Sequence, residues 1–209
     1  MKLLRLISYC WNAVFPNGIH FPWANGLIFC LCVGTFYLPP ETIEAMVYDR
    51  AKVADGEFYR HFTWHFVHAD SGFLWFGMIP LYVYGAFWEG GGSNRDSFHI
   101  LIFLACYQVL SIVSLELGLM PYQRLMGSSG ITYAMGPLAG YFITVRSGFP
   151  FILVPIIHFF TRALNGYLND PENLRNFAYE IHLISAGFGW IWIAVVHWIY
   201  LKRKDSDVT

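Results

Sequence analysis

Charged residues are scarce in this chain, and their scarcity limits what the protein can be. Only 13% of the 209 residues are Asp, Glu, Lys or Arg, against about 25% in an average soluble domain. The net charge of −1 leaves no basic stripe that could displace counterions from phosphates, so we expect no nucleic-acid partner. Because 56% of the residues are hydrophobic and 19% are aromatic, we expect the chain to lie in a lipid bilayer.

Cysteine is also scarce and indicates neither a disulfide framework nor a metal site. The four cysteines are Cys10, Cys30, Cys32 and Cys106. Cys30, Cys32 and Cys106 fall in apolar runs, and we interpret the cysteines as small buried hydrophobic residues. His61, His65 and His68 have the spacing of metal ligands on a helix, but no acidic or cysteine residue completes the set. We therefore predict no metal and no cofactor, and we place His65 at a membrane interface.

Long uncharged runs dominate the sequence. At about 20 residues per membrane crossing, they predict six spans, at residues 21–38, 72–88, 98–115, 125–145, 147–161 and 181–201. The predicted fold is a single all-α membrane domain covering residues 1–209. Six spans put both ends of the chain on one side, and Lys2, Arg5 and the basic residues at 202–204 assign that side to the cytoplasm.

Three segments lie outside these spans. Residues 1–20 are expected to form an interfacial segment and not a signal peptide, because no small-residue cleavage site follows the apolar part. Residues 39–71 form a long first loop rich in aromatic residues, which we predict to be partly helical and half embedded in the membrane. Residues 202–209 are expected to form a cytoplasmic tail. A bare six-span core of this kind suggests a bacterial plasma membrane.

A serine between glycines marks the start of the fourth span. In Gly127-Ser128-Ser129-Gly130, the start of a helix offers free backbone N–H groups and the positive end of the helix dipole, which suit a nucleophile. The same string also occurs where two membrane helices pack closely through small residues. The motif alone leaves both interpretations open.

The sixth span supplies a possible base for Ser129. His182 and Gly189 share one face of the predicted helix, and the fourth span carries Gly136 and Gly140 at matching intervals. If these faces pack, the Ser129 hydroxyl and the His182 imidazole reach a similar depth, and a neutral His182 could accept the serine proton. Taken alone, a histidine here would more often be a buried polar residue bonded across helices.

A wider set of residues resembles the rhomboid intramembrane serine proteases. The set consists of Gly56-Glu57-Phe58-Tyr59-Arg60, His68, Gly85, Glu89, Gly127-Ser128-Ser129-Gly130, Tyr133 and His182. The resemblance runs from about residue 25 to residue 201. It implies six helices around a water-filled cavity, with Ser129 as the nucleophile and His182 as its only base. It also implies that Tyr133 packs against the imidazole.

The resemblance further assigns supporting roles. Tyr59-Arg60 corresponds to a Trp-Arg pair that structures the first loop in this family. His68 is expected to hold that loop by hydrogen bonds. Gly127, Ser128 and Gly130 are expected to shape the site around the nucleophile. The implied substrate is a single-span membrane protein, cut near the non-cytoplasmic face. The short fifth span and residues 162–180 are expected to act as a movable gate.

Two positions depart from the family pattern. Many rhomboids have a histidine and an asparagine that bind the oxyanion where this chain has Phe73 and Gly77. The backbone N–H group of Ser129 remains, with that of Ser128 as a second candidate, but the side-chain half of the oxyanion hole is missing. Loss of one such donor typically lowers the rate by on the order of 10²–10³. Ser185 also stands where the family usually has glycine.

The sequence leaves open what replaces the missing donors. His65, Asp70, Ser71 and an ordered water are all possible, and Asp70 could instead cap the second span. If nothing replaces the donors, the chain is a rhomboid-like protein that binds transmembrane clients without cutting them. A small transporter or channel would need more intramembrane charge than these spans provide.

Overall fold

The computed structural model of the chain describes residues 22–89, 94–148 and 179–206, together with residues 150, 153, 156 and 157. The N-terminal interfacial segment, most of the predicted fifth span and nearly all of the predicted gate lie outside these residues. In chain order the helices are α1 (Trp23–Phe36), α2 (Pro40–Met46), α3 (Arg50–Ala54), α4 (Arg60–Thr63), α5 (Ser71–Glu89), α6 (Asn94–Glu116), α7 (Ser129–Ser147) and α8 (Tyr179–Ser206). Two short strands are β1 (Tyr48–Asp49) and β2 (Arg124–Leu125).

The all-helical fold class is confirmed. The helices α1, α5, α6, α7 and α8 each fall on a predicted span, and α8 continues through residues 202–206, which were expected to form a tail. Two helical segments among the described residues are long and apolar enough to cross a membrane, Phe98–Glu116 and Glu180–Ile199. The apolar helix α1 is shorter.

Helix α7 lies at the centre of the bundle. It packs most extensively against α8 on one side and α5 on the other, and α1 packs against α5. Every residue from 130 to 140 is buried. Because α7 is enclosed by other helices, it can carry serine, threonine and glycine where a helix facing lipid would need larger apolar side chains.

Small residues set the distance between the central helices. A Cβ atom added at Gly189 of α8 would overlap the carbonyl oxygen of Ala134 on α7 and would also approach Pro137. A Cβ atom added at Gly130 of α7 would overlap the hydroxyl of Tyr107 on α6. Both glycines are therefore required by close packing.

The first loop is partly helical, as expected, and it is joined to the segment that precedes α7. Strand β1 pairs antiparallel with β2, with Tyr48 opposite Leu125 and Asp49 opposite Arg124. Tyr48, Leu125 and Trp64 share a small apolar core with Ile181 from the start of α8. This core connects the loop to the segment that precedes α7 and to the start of α8, which carries His182.

Arg60 organises the first loop from inside. Its side chain is only 7% exposed. The guanidinium donates to the backbone carbonyls of Glu44 at 2.8 Å and Val47 at 2.7 Å, and Nε donates to the Glu57 carboxylate at 2.7 Å. Tyr59 lies on the surface, where its hydroxyl donates to Glu57. Charge-assisted bonds to several groups fix the loop backbone in the position that the short helices require.

Two predictions about burial are wrong. Cys32 is buried, but Cys30 and Cys106 lie on the outer face of the bundle. His65 was placed at an interface, yet it is 1% exposed and stacks on Trp64 with ring centroids 3.7 Å apart. An apolar run shows that a segment is hydrophobic, but it does not show which face of its helix meets a neighbour.

The contact at Gly189 predicts a sharp difference between two glycines of α8. Gly189→Ala should lower the free energy of unfolding by about 1–3 kcal/mol, because the new methyl group overpacks the contact with Ala134. Gly187→Ala is the matched control, since a Cβ at that position meets no atom within 4 Å. It should be neutral or stabilise by up to about 1 kcal/mol through helix propensity. Reversible unfolding in detergent measures both, and equal stabilities would contradict this packing.

Candidate active site

A tight turn delivers Ser129 to the start of α7. Gly127 has a φ of +109°, a conformation that residues with a Cβ rarely adopt. Its N–H donates to the carbonyl of Trp64 at 2.9 Å, which ties the turn to the first loop. Ser128 occupies the N-cap position, and Ser129 is the first helical residue. The Ser129 hydroxyl therefore lies at the positive end of the helix, beside free backbone N–H groups.

The structure brings Ser129 and His182 together. Ser129 Oγ lies 2.8 Å from Nε2 of His182, across the contact between α7 and α8. His182 is 4% exposed, whereas Ser129 is half-buried. This is the arrangement of a hydroxyl that can pass its proton to a neutral imidazole while it attacks an electrophile.

Tyr133 forms one wall of the site. It lies one helical turn after Ser129, and its ring centroid is 4.4 Å from that of His182, with 52° between the planes. Tyr133 is 6% exposed. The contact restricts the orientation of the imidazole and so keeps Nε2 directed at the serine.

A second polar contact supports the same region. The hydroxyls of Tyr107 and Ser185 are 2.9 Å apart, and Ser185 donates to the Ile181 carbonyl. Since the only hydrogen of the serine hydroxyl is used in that bond, Tyr107 donates to Ser185. Tyr107 also lies against Gly130, so α6, α7 and α8 meet beside the Ser129–His182 pair. The sequence analysis missed Tyr107, because nothing along α6 indicates which of its faces meets α7.

His68 contacts Ser128, the residue that precedes Ser129. Nε2 of His68 lies 3.1 Å from Ser128 Oγ and accepts from the Ser128 N–H at 3.3 Å. Both residues are buried, at 5% and 0% exposure. The Ser128 amide, a possible oxyanion donor from the sequence alone, is thus engaged by His68, and the Ser129 amide remains for a substrate.

Burial keeps His68 neutral. It lowers the pKa of His68 to about 4, and a hydrogen bond with the Phe66 backbone and the charge of Asp70 offset only part of that shift. Burial likewise lowers the pKa of His65 to about 3. Near neutral pH both rings are uncharged, so each can accept a hydrogen bond on one nitrogen.

The two positions that depart from the rhomboid pattern provide no side-chain donor. Phe73 is apolar and 61% exposed. Gly77 is buried and has no side chain, and the Ser128 hydroxyl occupies the space beside it. A Cβ at residue 77 would lie 2.8 Å from Ser128 Oγ.

The structure also shows where the side chains lie that could replace the missing oxyanion donors. Asp70 accepts from the Phe73 N–H at 3.0 Å, which is the helix-capping role considered for it. His65 is buried against Trp64, and Ser71 is exposed.

His61 is also buried, and its Nε2 lies 3.2 Å from a carboxylate oxygen of Glu116. Over the described part of the chain, no three His, Cys, Asp or Glu side chains cluster as metal ligands do.

The chain matches no protein-family model, and comparison with curated proteins and with solved structures also finds no match. Any assignment of function therefore depends on the geometry of the site and on the residue pattern.

The low pKa of His68 predicts that stability falls in acid. Its pKa is about 4 when folded and about 6.5 when unfolded. The stabilisation is therefore fully present above pH 6.5 and is lost as the pH falls towards 4, by on the order of 3 kcal/mol. His68→Gln should remove this part of the pH dependence, while His65 keeps its own contribution.

Unfolding in detergent at pH 7 and pH 4 measures the effect. His99, an exposed histidine of α6, is the matched control. His99→Gln should retain the pH dependence of the wild type. If His68→Gln also retained it, the buried neutral state of His68 would be refuted.

Proposed function

We propose that the chain is an intramembrane serine protease of the rhomboid type, which hydrolyses a peptide bond in or next to a transmembrane segment of a substrate. The observation that carries the proposal is the 2.8 Å approach of Ser129 Oγ to His182 Nε2 at the start of the most buried helix. The residue pattern from the first loop to His182 supports it. We further propose six spans, both ends of the chain on the cytoplasmic side, and a bacterial plasma membrane as the location.

The chemistry follows from the positions of the two side chains. The Ser129 hydroxyl attacks the carbonyl carbon of the substrate and its proton moves to Nε2 of His182. The N–H of Ser129 donates to the oxyanion that forms. His182 then returns the proton to the departing amine, and an acyl-enzyme remains on Ser129. Water, activated by the same imidazole, hydrolyses the ester and regenerates the serine.

The substrate class follows from the hydrogen bonding of helices. In an intact transmembrane helix each carbonyl accepts from the chain one turn further on, so Ser129 cannot reach it. A substrate must unwind locally before it is cut. We therefore expect single-span proteins with helix-breaking residues near the non-cytoplasmic end of the span to be preferred.

A second candidate is a rhomboid-like protein that binds transmembrane clients without cutting them. The observation in its favour is the absence of a donor side chain at Phe73 and Gly77. Both candidates bind a transmembrane segment, but only the protease requires Ser129 and His182 to react. Cleavage therefore distinguishes them.

The test is cleavage in liposomes of a single-span probe that carries a Gly-Pro pair near its non-cytoplasmic end. The wild type should cut the probe, and Ser129→Ala and His182→Ala should each lower the rate by about 10³-fold or more. Ser114→Ala, which changes a buried serine of α6, is the matched control and should cut normally. A probe retained but left uncut by folded wild-type protein would favour the binder. Cleavage that survives Ser129→Ala would refute the protease.

A further inference from the structure

Ser128 carries a second buried hydroxyl at the start of α7, and it is directed to the opposite side from the nucleophile. Ser129 Oγ contacts His182 of α8, whereas Ser128 Oγ contacts His68, in the segment that precedes α5. Ser128 is 0% exposed. Adjacent residues thus place two hydroxyls on either side of the same helix end.

The hydrogen bonds between His68 and Ser128 leave the hydrogen of the Ser128 hydroxyl without a fixed acceptor. The Ser128 N–H can only donate, so its bond to His68 makes Nε2 an acceptor. A neutral imidazole has one accepting nitrogen, and the Ser128 hydroxyl competes with the Ser128 amide for it at 3.1 Å. If the hydroxyl turns to another acceptor, Nε2 keeps its bond to the amide. Turning the hydroxyl therefore does not leave Nε2 without a partner.

The reaction would place such an acceptor on this side of the helix. His182 has to protonate the departing amine, so the scissile nitrogen faces α8. The carbonyl oxygen then lies away from His182, at the helix end and towards α5, where the Ser129 amide can donate to it. The residue on that side whose hydroxyl hydrogen is not committed is Ser128.

We propose that the Ser128 hydroxyl donates to the oxyanion and so replaces the missing side-chain donors, with His68 as the positioning residue that holds it in place. This inference rests on the proposed protease function. In the free protein the hydroxyl shares Nε2 of His68 with the amide. During attack by Ser129 it turns to the developing negative charge, and no proton is transferred.

Gly77 makes room for this arrangement. A Cβ at residue 77 would lie 2.8 Å from Ser128 Oγ and 3.6 Å from His68 Nε2, so a larger residue would displace the hydroxyl. Thr132, one turn after Ser128, lies in the same contact, and its hydroxyl is 3.2 Å from the Gly77 carbonyl and 3.3 Å from the Ser128 carbonyl. The Ser128 hydroxyl thus fits in this position because residue 77 has no side chain.

The test measures the rate at which a fluorophosphonate labels Ser129, because its phosphoryl oxygen occupies the oxyanion position. Ser128→Ala should lower this rate by about 10²-fold. In the cleavage assay the same variant should lower kcat and leave KM nearly unchanged, since the bond forms only in the transition state. Ser128→Cys, which keeps the size but is a weak donor, should not restore the rate.

Thr132→Val is the matched control. It removes a buried hydroxyl from the same contact between α5 and α7, but that hydroxyl is bonded to carbonyls, so labelling should stay within about threefold of wild type. Gly77→Ala should slow labelling in the wild type by displacing the Ser128 hydroxyl. In the Ser128→Ala background it should have little further effect, because residues in contact are not additive.

The outcomes distinguish a failure of the role proposed for Ser128 from a failure of the proposed protease function. Ser129 labelling of the wild type with an equal rate in Ser128→Ala would overturn the role of Ser128 and leave the protease standing. An equal loss in Thr132→Val and Ser128→Ala would show a structural effect and also overturn it. If folded wild type is not labelled, the proposed function fails together with the inference.

Discussion

The close contact between α7 and α8 at Gly189 is the constraint on which the site depends. Because Gly189 has no side chain, the α8 backbone approaches the Ala134 carbonyl directly, and the two helices lie closer than larger residues would allow. His182, two turns earlier on α8, is then brought within 2.8 Å of the Ser129 hydroxyl. The packing of α7 against α8 therefore fixes where the imidazole lies relative to the hydroxyl. Tyr133 supplies part of that packing.

The second constraint comes from the first loop, which holds Ser129 in place through the segment that precedes it. The Trp64 carbonyl accepts from the N–H of Gly127, and β1 pairs with β2 immediately before this turn. His68, a few residues after Trp64, reaches Ser128. The loop is therefore a structural support for the start of α7 as well as a surface segment. The buried Arg60 fixes the conformation of the loop. A fixed loop in turn keeps Ser129 in one position.

The helices and the pairing of Ser129 with His182 could be predicted from the sequence, because hydropathy and the spacing of small residues are properties of single segments. The structure adds that Ala134 and Pro137 of α7 lie against Gly189. The role of Tyr107 and the bond between His68 and Ser128 could not be found in this way. Both join side chains that are sixty or more residues apart in the chain, and sequence periodicity does not specify which distant segments meet. The same reason explains the unexpected burial of His65.

The central claim is that Ser129 is a nucleophile activated by His182, and mapping a covalent adduct tests it most directly. Folded protein in detergent is treated with a fluorophosphonate, digested and analysed by mass spectrometry. The account predicts one adduct, on Ser129, which is lost in His182→Ala although the serine is still present. An adduct on Ser128 instead, or an adduct on Ser129 that forms equally fast without His182, would contradict it.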